Sequence, residues 1–131
     1  MHMKKTRKVL DKQNYPMEVS YGDVFYADLN PVIGSEQAGV RPVLIIQNDT
    51  GNLYSKTTIC VAIATYTKNK KAGMPTHVYI DCDKFSLARK SIVMMEHIRT
   101  IDKTRLRKKI GSFDDEMMAK VKTALRISIN L

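Results

Sequence analysis

Gly34-Ser35-Glu36-Gln37-Ala38-Gly39-Val40-Arg41-Pro42-Val43-Leu44-Ile45-Ile46-Gln47-Asn48 decides how this chain is read. Val43 to Ile46 is an unbroken aliphatic run, mostly β-branched, which predicts a buried strand. A polar loop bracketed by Gly34 and Gly39 leads into it. Arg41 stands at its mouth, and Pro42 removes a ladder donor at the strand's first position. An arginine placed there is held by the sheet while its guanidinium still faces solvent. It can grip phosphate in bidentate fashion and stays charged at any working pH. A surface ion pair with Glu36 or Asp49 is the other use open to it.

Strand signals continue on both sides. Upstream, Tyr21 to Leu29 alternates well enough for a strand, and Asn30-Pro31 breaks it. Downstream, the strand from Pro42 to Gln47 is followed by Asn48-Asp49-Thr50-Gly51-Asn52, a dense turn signal. Thr57 to Ile63 reads as a third strand and Pro75 to Asp81 as a fourth, pairing antiparallel. Ser91 to about Glu96 reads as a fifth, and Ile98 to Ile101 as a shorter sixth. Lys68-Asn69-Lys70-Lys71-Ala72-Gly73 is a basic, solvated loop. Asp102 predicts the cap of a short helix, Lys103 to Ile110, stopped by Gly111. Ser112 or Asp114 caps a second helix whose Met117, Met118, Val121, Ala124 and Leu125 form one stripe. Strands first and a helix last predict an α+β, mainly β fold: an antiparallel barrel or curled sheet carrying a C-terminal helix. Met94 and Met95 either pack in the core or belong to an exposed apolar face suited to dimerisation.

With 131 residues the chain supports one domain with a real core. The reading divides it into a basic extension, 1–20, and the domain proper, 21–131. The extension is expected to be mobile or loosely helical. Its opening Met1-His2-Met3 reads as a cloning remnant before a native start at Met3. No run approaches a membrane span, no signal peptide is evident, and Cys60 and Cys82 read as reduced thiols, which together imply a cytoplasmic protein. The 22 Lys and Arg against 13 Asp and Glu give a formal charge of +9 and favour a polyanionic partner, nucleic acid ahead of membrane. No His/Cys cluster has metal-ligand spacing and no Gly-rich phosphate loop precedes a helix, so neither a metal nor a cofactor is expected.

Gly22 to Pro31, Gly34-Ser35-Glu36-Gln37 and Gly39-Val40-Arg41-Pro42 together resemble the N-terminal signature of MazF/PemK-type toxins. Pro75-Thr76-His77-Val78, Glu96-His97-Ile98-Arg99-Thr100-Ile101-Asp102 and Asp114-Asp115-Glu116-Met117-Met118 continue the match in order, and it looks most like the Gram-positive MazF proteins. The resemblance covers residue 21 to the C-terminus. It implies an SH3-like barrel of the CcdB/MazF type. It also implies a homodimer and a metal-independent endoribonuclease that cuts single-stranded RNA at a short motif, here expected as UACAU. The products would be 2′,3′-cyclic phosphate and 5′-OH ends, and a MazE-type antitoxin would be the inhibitor. Arg41 falls on the family's catalytic arginine, while Ser35, Glu36, His77 and Glu96 are expected near the RNA groove. His77 is equally well read as a satisfied structural histidine.

One departure stands out. Where the family carries a catalytic Thr or Ser at the end of the third strand, this chain has Ala64, which lacks a hydroxyl. Either Ala64 replaces a native threonine, exchanged so that cells survive a toxic nuclease, or Thr65 serves instead. The second requires a bulge or an ended strand, since neighbours on a strand face opposite ways. The rival functions are a CcdB-like toxin that poisons gyrase without catalysis and a nucleic-acid-binding barrel that cuts nothing.

Overall fold

The computed structural model describes residues 8–10, 16–31, 33–36, 39–67, 74–81, 87 and 89–131. The basic loop 68–73, Cys82 and the first seven residues lie outside these. β5 (Thr57–Thr65) is the longest described strand and the hub of the sheet. Along one edge it pairs with β4 (Val40–Ile45), with Val43 opposite Ala62 and Ile45 opposite Cys60. Along the other edge its first half pairs with β8 (Arg99–Asp102) and its last part with β7 (Ser91–Met94). β3 (Asp23–Asp28) and β9 (Leu106–Ser112) extend the sheet beyond β4, and β6 (His77–Ile80) extends it beyond β7. Every pairing is antiparallel.

Both faces of this curled sheet are buried, which is why the central strands read as nearly continuous apolar runs. Val24, Leu44, Val61, Ile63 and Val93 meet Met117, Met118 and Val121 of α2 (Asp115–Ser128). Phe25, Ala27, Val43, Ile45, Cys60, Ala62 and Leu106 form the second core. Fully burying a side chain such as Phe25 or Leu44 stabilises the fold by about 1.5–3 kcal/mol. α2 is capped as its sequence demands: Asp114 Oδ1 accepts from Met117 N at 2.8 Å, and Asp115 and Glu116 sit at the positive end of the helix dipole.

Three expectations are corrected. Lys103 to Ile110 is not a helix: Asp102 does cap Thr104, but only a 3₁₀ turn, Lys103–Arg105, follows, and the basic run becomes β9. The open edge of β3 takes up its backbone groups, so Gly111 lies inside a strand. Asn48–Asn52 is more than a turn, because Asn48 caps a short helix, α1 (Asp49–Tyr54), by accepting from Gly51 N at 2.8 Å. Part of the N-terminal arm forms an antiparallel ribbon, β1 (Lys8–Leu10) with β2 (Pro16–Glu18), instead of loose helix. Met95 is fully buried in the first core, so of the two uses open to it the core has claimed it.

Candidate functional site

Arg41 lies near the start of β4 and Ala64 near the end of β5, each two residues beyond the outermost pair of the β4–β5 ladder, Val43 with Ala62. Arg41 pairs with Ala27 of β3, and alternation puts it on the face of Val43, as it puts Ala64 on the face of Ala62. Both side chains therefore leave the sheet on the face of Val43 and Ala62. Further across the sheet Ala64 pairs with Ile92, and Ile92 pairs with Tyr79. Thr65, next along β5, leaves on the opposite face, beside Tyr26, Pro42 and Ile63.

The loop delivering Arg41 is pinned at its base. Leu29 N donates to Gly39 O at 3.0 Å, and Gly39 N donates to Asn30 Oδ1 at 3.1 Å. Gly39 holds φ +85, a backbone state that side-chain-bearing residues resist. The Arg105 guanidinium braces the same spot from the far side, donating to Asp28 O at 3.1 Å and Asn30 O at 2.5 Å. At the loop tip Glu36 Oε1 accepts from Ile33 N at 2.6 Å, and Ser35 stands exposed beside it.

On the Ala62 face an open cavity of about 220 Å³ is lined by Leu29, Glu36, Ala62, Glu96, His97, Ile98 and Arg99. Two of the expected site residues, Glu36 and Glu96, thus share it. His77 reaches it indirectly. Its Nε2–H donates to Glu96 Oε2 at 2.9 Å, which an ionised carboxylate requires of the ring nitrogen facing it. The imidazole is itself almost buried, with its side chain 8% exposed, and it also lines a second cavity between β6 and α2. Burial by itself raises the Glu96 carboxyl, but hydrogen bonds led by that from His77 outweigh it and hold the group below its ordinary value. His97 and Arg99 complete the cavity and were not singled out from sequence. Their signal was their place beside Glu96, at the opening of β8, where Arg99 pairs with Cys60.

The two parts suit different ligand groups. A cavity bearing two carboxylates repels phosphate but accepts hydrogen bonds from ring amino groups, while Arg99 can donate to ring acceptors. The arginine at the strand ends suits the phosphate itself. Among the described residues no group of His, Cys, Asp and Glu is arranged to hold a metal ion. No helix among them is long and apolar enough to cross a membrane.

Comparison with known proteins bears on this arrangement. The model of the PemK-like, MazF-like toxins of type II toxin-antitoxin systems matches residues 20–129. A Bacillus subtilis (strain 168) protein named endoribonuclease EndoA is 56% identical over 115 residues, spanning 88% of this chain and 97% of its own. Among solved structures, a mycobacterial endoribonuclease in complex with its cognate antitoxin superposes with a TM-score of 0.71 at 25% identity, covering 86% of this chain and 96% of its own. MazF from Deinococcus radiodurans shares the fold, with a TM-score of 0.74 at 19% identity over 88% of this chain and 99% of its own.

Proposed function

The chain belongs to the PemK-like, MazF-like toxins of type II toxin-antitoxin systems and is an endoribonuclease of that family; from that premise we propose how it cuts. The substrate is single-stranded RNA carrying a short motif, expected as UACAU, and the reaction is metal-independent. A ribose 2′-OH attacks the adjacent phosphorus while the bond to the 5′ oxygen breaks. The 2′-OH proton is lost and the leaving oxygen gains one, giving 2′,3′-cyclic phosphate and 5′-OH ends. Arg41 stabilises the charge that grows on the non-bridging oxygens, the role its permanent charge suits best. Glu36, Glu96 and Arg99 read base edges, Ser35 contributes from the loop tip, and His77 acts through Glu96. The protein works as a homodimer in the cytoplasm, and a MazE-type antitoxin holds it inactive.

What supports this reading is that Arg41 and Ala64 share the sheet face whose Ala62 lines the Glu36–Glu96 cavity. Ala64 sits where a second catalytic hydroxyl belongs, and Thr65 points away from Arg41. The chain with Ala64 therefore binds RNA and cuts it poorly. The test is Ala64→Thr against the parent on a long single-stranded RNA with EDTA present, product ends being mapped by primer extension. A gain of about 10²–10³-fold at one recurring motif, leaving 5′-OH ends, is expected, the size typical of one donor to a developing oxyanion. No gain in the variant would sink the assignment of Ala64, and equal cutting by both proteins would return the role to Thr65 or leave it to Arg41 alone. The rival reading as a non-catalytic gyrase poison is not carried forward, since the family and the Bacillus relative are ribonucleases.

A further inference from the structure

The strand ends that carry Arg41 and Ala64 have a second side. Pro42 and Thr65, the next residue on each strand, turn to the opposite face, where a separate cavity of about 220 Å³ opens. Its floor is apolar, from Pro42 and Ile63, and its wall is the Tyr26 ring, 39% exposed although β3 is a central strand. Polar groups rim it: the Thr65 hydroxyl, the exposed Arg89 guanidinium and Ser91. Arg89 is fixed at its backbone, since Ser91 Oγ donates to Arg89 O at 2.7 Å. Next to it, Lys90 lies 5.9 Å from the Tyr66 ring centre.

An exposed aromatic wall, an apolar floor, a hydroxyl and a cation in a space the size of one base are the elements that hold an unstacked nucleotide. The position adjoins the cleavage site, because β5 supplies both cavities, Ala62 to the one and its neighbour Ile63 with Thr65 to the other, while Pro42 follows Arg41 directly on β4. The geometry points to a flanking-nucleotide subsite: RNA crosses the strand ends at Arg41, and a nucleotide just outside the cleavage motif stacks on Tyr26 with its phosphate on Arg89. This rests on the ribonuclease reading and adds a binding position to it. The basic pair Arg89-Lys90 and the net charge of +9 favour an RNA occupant over a second protein surface.

The test uses the chain as it stands and fluorescein-labelled oligoribonucleotides: UACAU, and UACAU with one or two uridines added at either end. Extension at one end is expected to tighten binding about five- to a hundredfold, the range for one stacked base. Tyr26→Leu removes that gain while leaving UACAU affinity unchanged, and Tyr26→Phe keeps it. Arg89→Gln lowers the slope of log affinity against log salt by about one for the extended RNA only. The subsite is overturned if Tyr26→Leu keeps the gain, or weakens UACAU and its extensions alike. It is equally overturned if the variant shifts the oligomeric state by ultracentrifugation while RNA gain persists, which would make the cavity an interface between copies. Failure of the parent to bind any of these RNAs overturns it together with the ribonuclease reading, whereas tight binding of UACAU with no extension effect overturns the subsite alone.

Discussion

Polar side chains gather at two places along β5 and do opposite things there. At the Thr57 end, polar groups close on one another. Thr58 Oγ1 donates to Asn52 Oδ1 at 2.9 Å, Asn52 Nδ2 donates to Gln47 O at 2.9 Å, and Gln47 Nε2 donates to Thr57 O at 3.0 Å. Lys103, only 2% exposed, donates its ammonium proton to the Asn52 carbonyl. Further along, beside Ala62, Glu36, Glu96 and Arg99 surround an open cavity. A buried polar knot fixes the fold, since each lost partner strands a desolvated group. An open polar cavity contributes little to stability, and its carboxylates, each bonded through one oxygen to Ile33 or His77, can still accept from a ligand.

This contrast can be broken by mutation. Asn52→Ala is expected to destabilise by about 3 kcal/mol, because it takes the acceptor from the buried Thr58 hydroxyl, one of two acceptors from the Gln47 amide, and the Asn52 donor from the Gln47 carbonyl. Urea unfolding measures it, and a change below about 1 kcal/mol would mean that the knot is not structural. Gly39→Ala forces a side chain into the left-handed region at the base of the Arg41 loop, at a cost of about 1–2 kcal/mol. RNA affinity should fall with it, which the Asn52 change should not cause in the folded fraction.

Glu96→Gln sharpens the other side, with stability within about 0.5 kcal/mol of the parent and altered RNA selectivity. The pH dependence has a definite sign. The Glu96 carboxyl is depressed in the folded state, so its stabilising effect is present above the unfolded value and is lost as pH falls through the folded one. Parent and Glu96→Gln stabilities should therefore converge only in acid, below the ordinary carboxylate range. The smallest effect is expected at Cys60, on β5 between the two ends. Burial pushes its thiol up to about 12, with Arg99 offsetting part of the rise, so peptide mapping should find it unalkylated at pH 8 until the protein unfolds.

Much of this was legible in the sequence. β4, β5 and α2 declared themselves through aliphatic runs and one helical stripe, and Arg41 through its place between Gly39 and the apolar run. β9 differs from the helix its sequence suggests because a run of basic residues shows no alternation. Its strand state comes from the edge of β3, which no local pattern reports. α1 is hidden because Gly51 and flanking Asn residues carry a turn signal, and only the cap from Asn48 makes them a helix. The partnership of His77 with Glu96 was hidden for a related reason. The resemblance puts both near the groove, but only the β6–β7 register, with His77 opposite Met94, brings them within hydrogen-bonding reach. The opposed faces of Ala64 and Thr65 followed from alternation alone, and the unbroken β5 ladder agrees with it.

The most direct measurement takes Ala64→Thr as the background and adds Arg41→Gln, comparing first-order cleavage of one motif-bearing RNA under EDTA. The double variant is expected to fold as before, to bind the RNA still, and to cut at least about 10²-fold more slowly than Ala64→Thr. Undiminished cleavage in the double variant would contradict this, since the chemistry would then lie away from the face that Arg41 and residue 64 share.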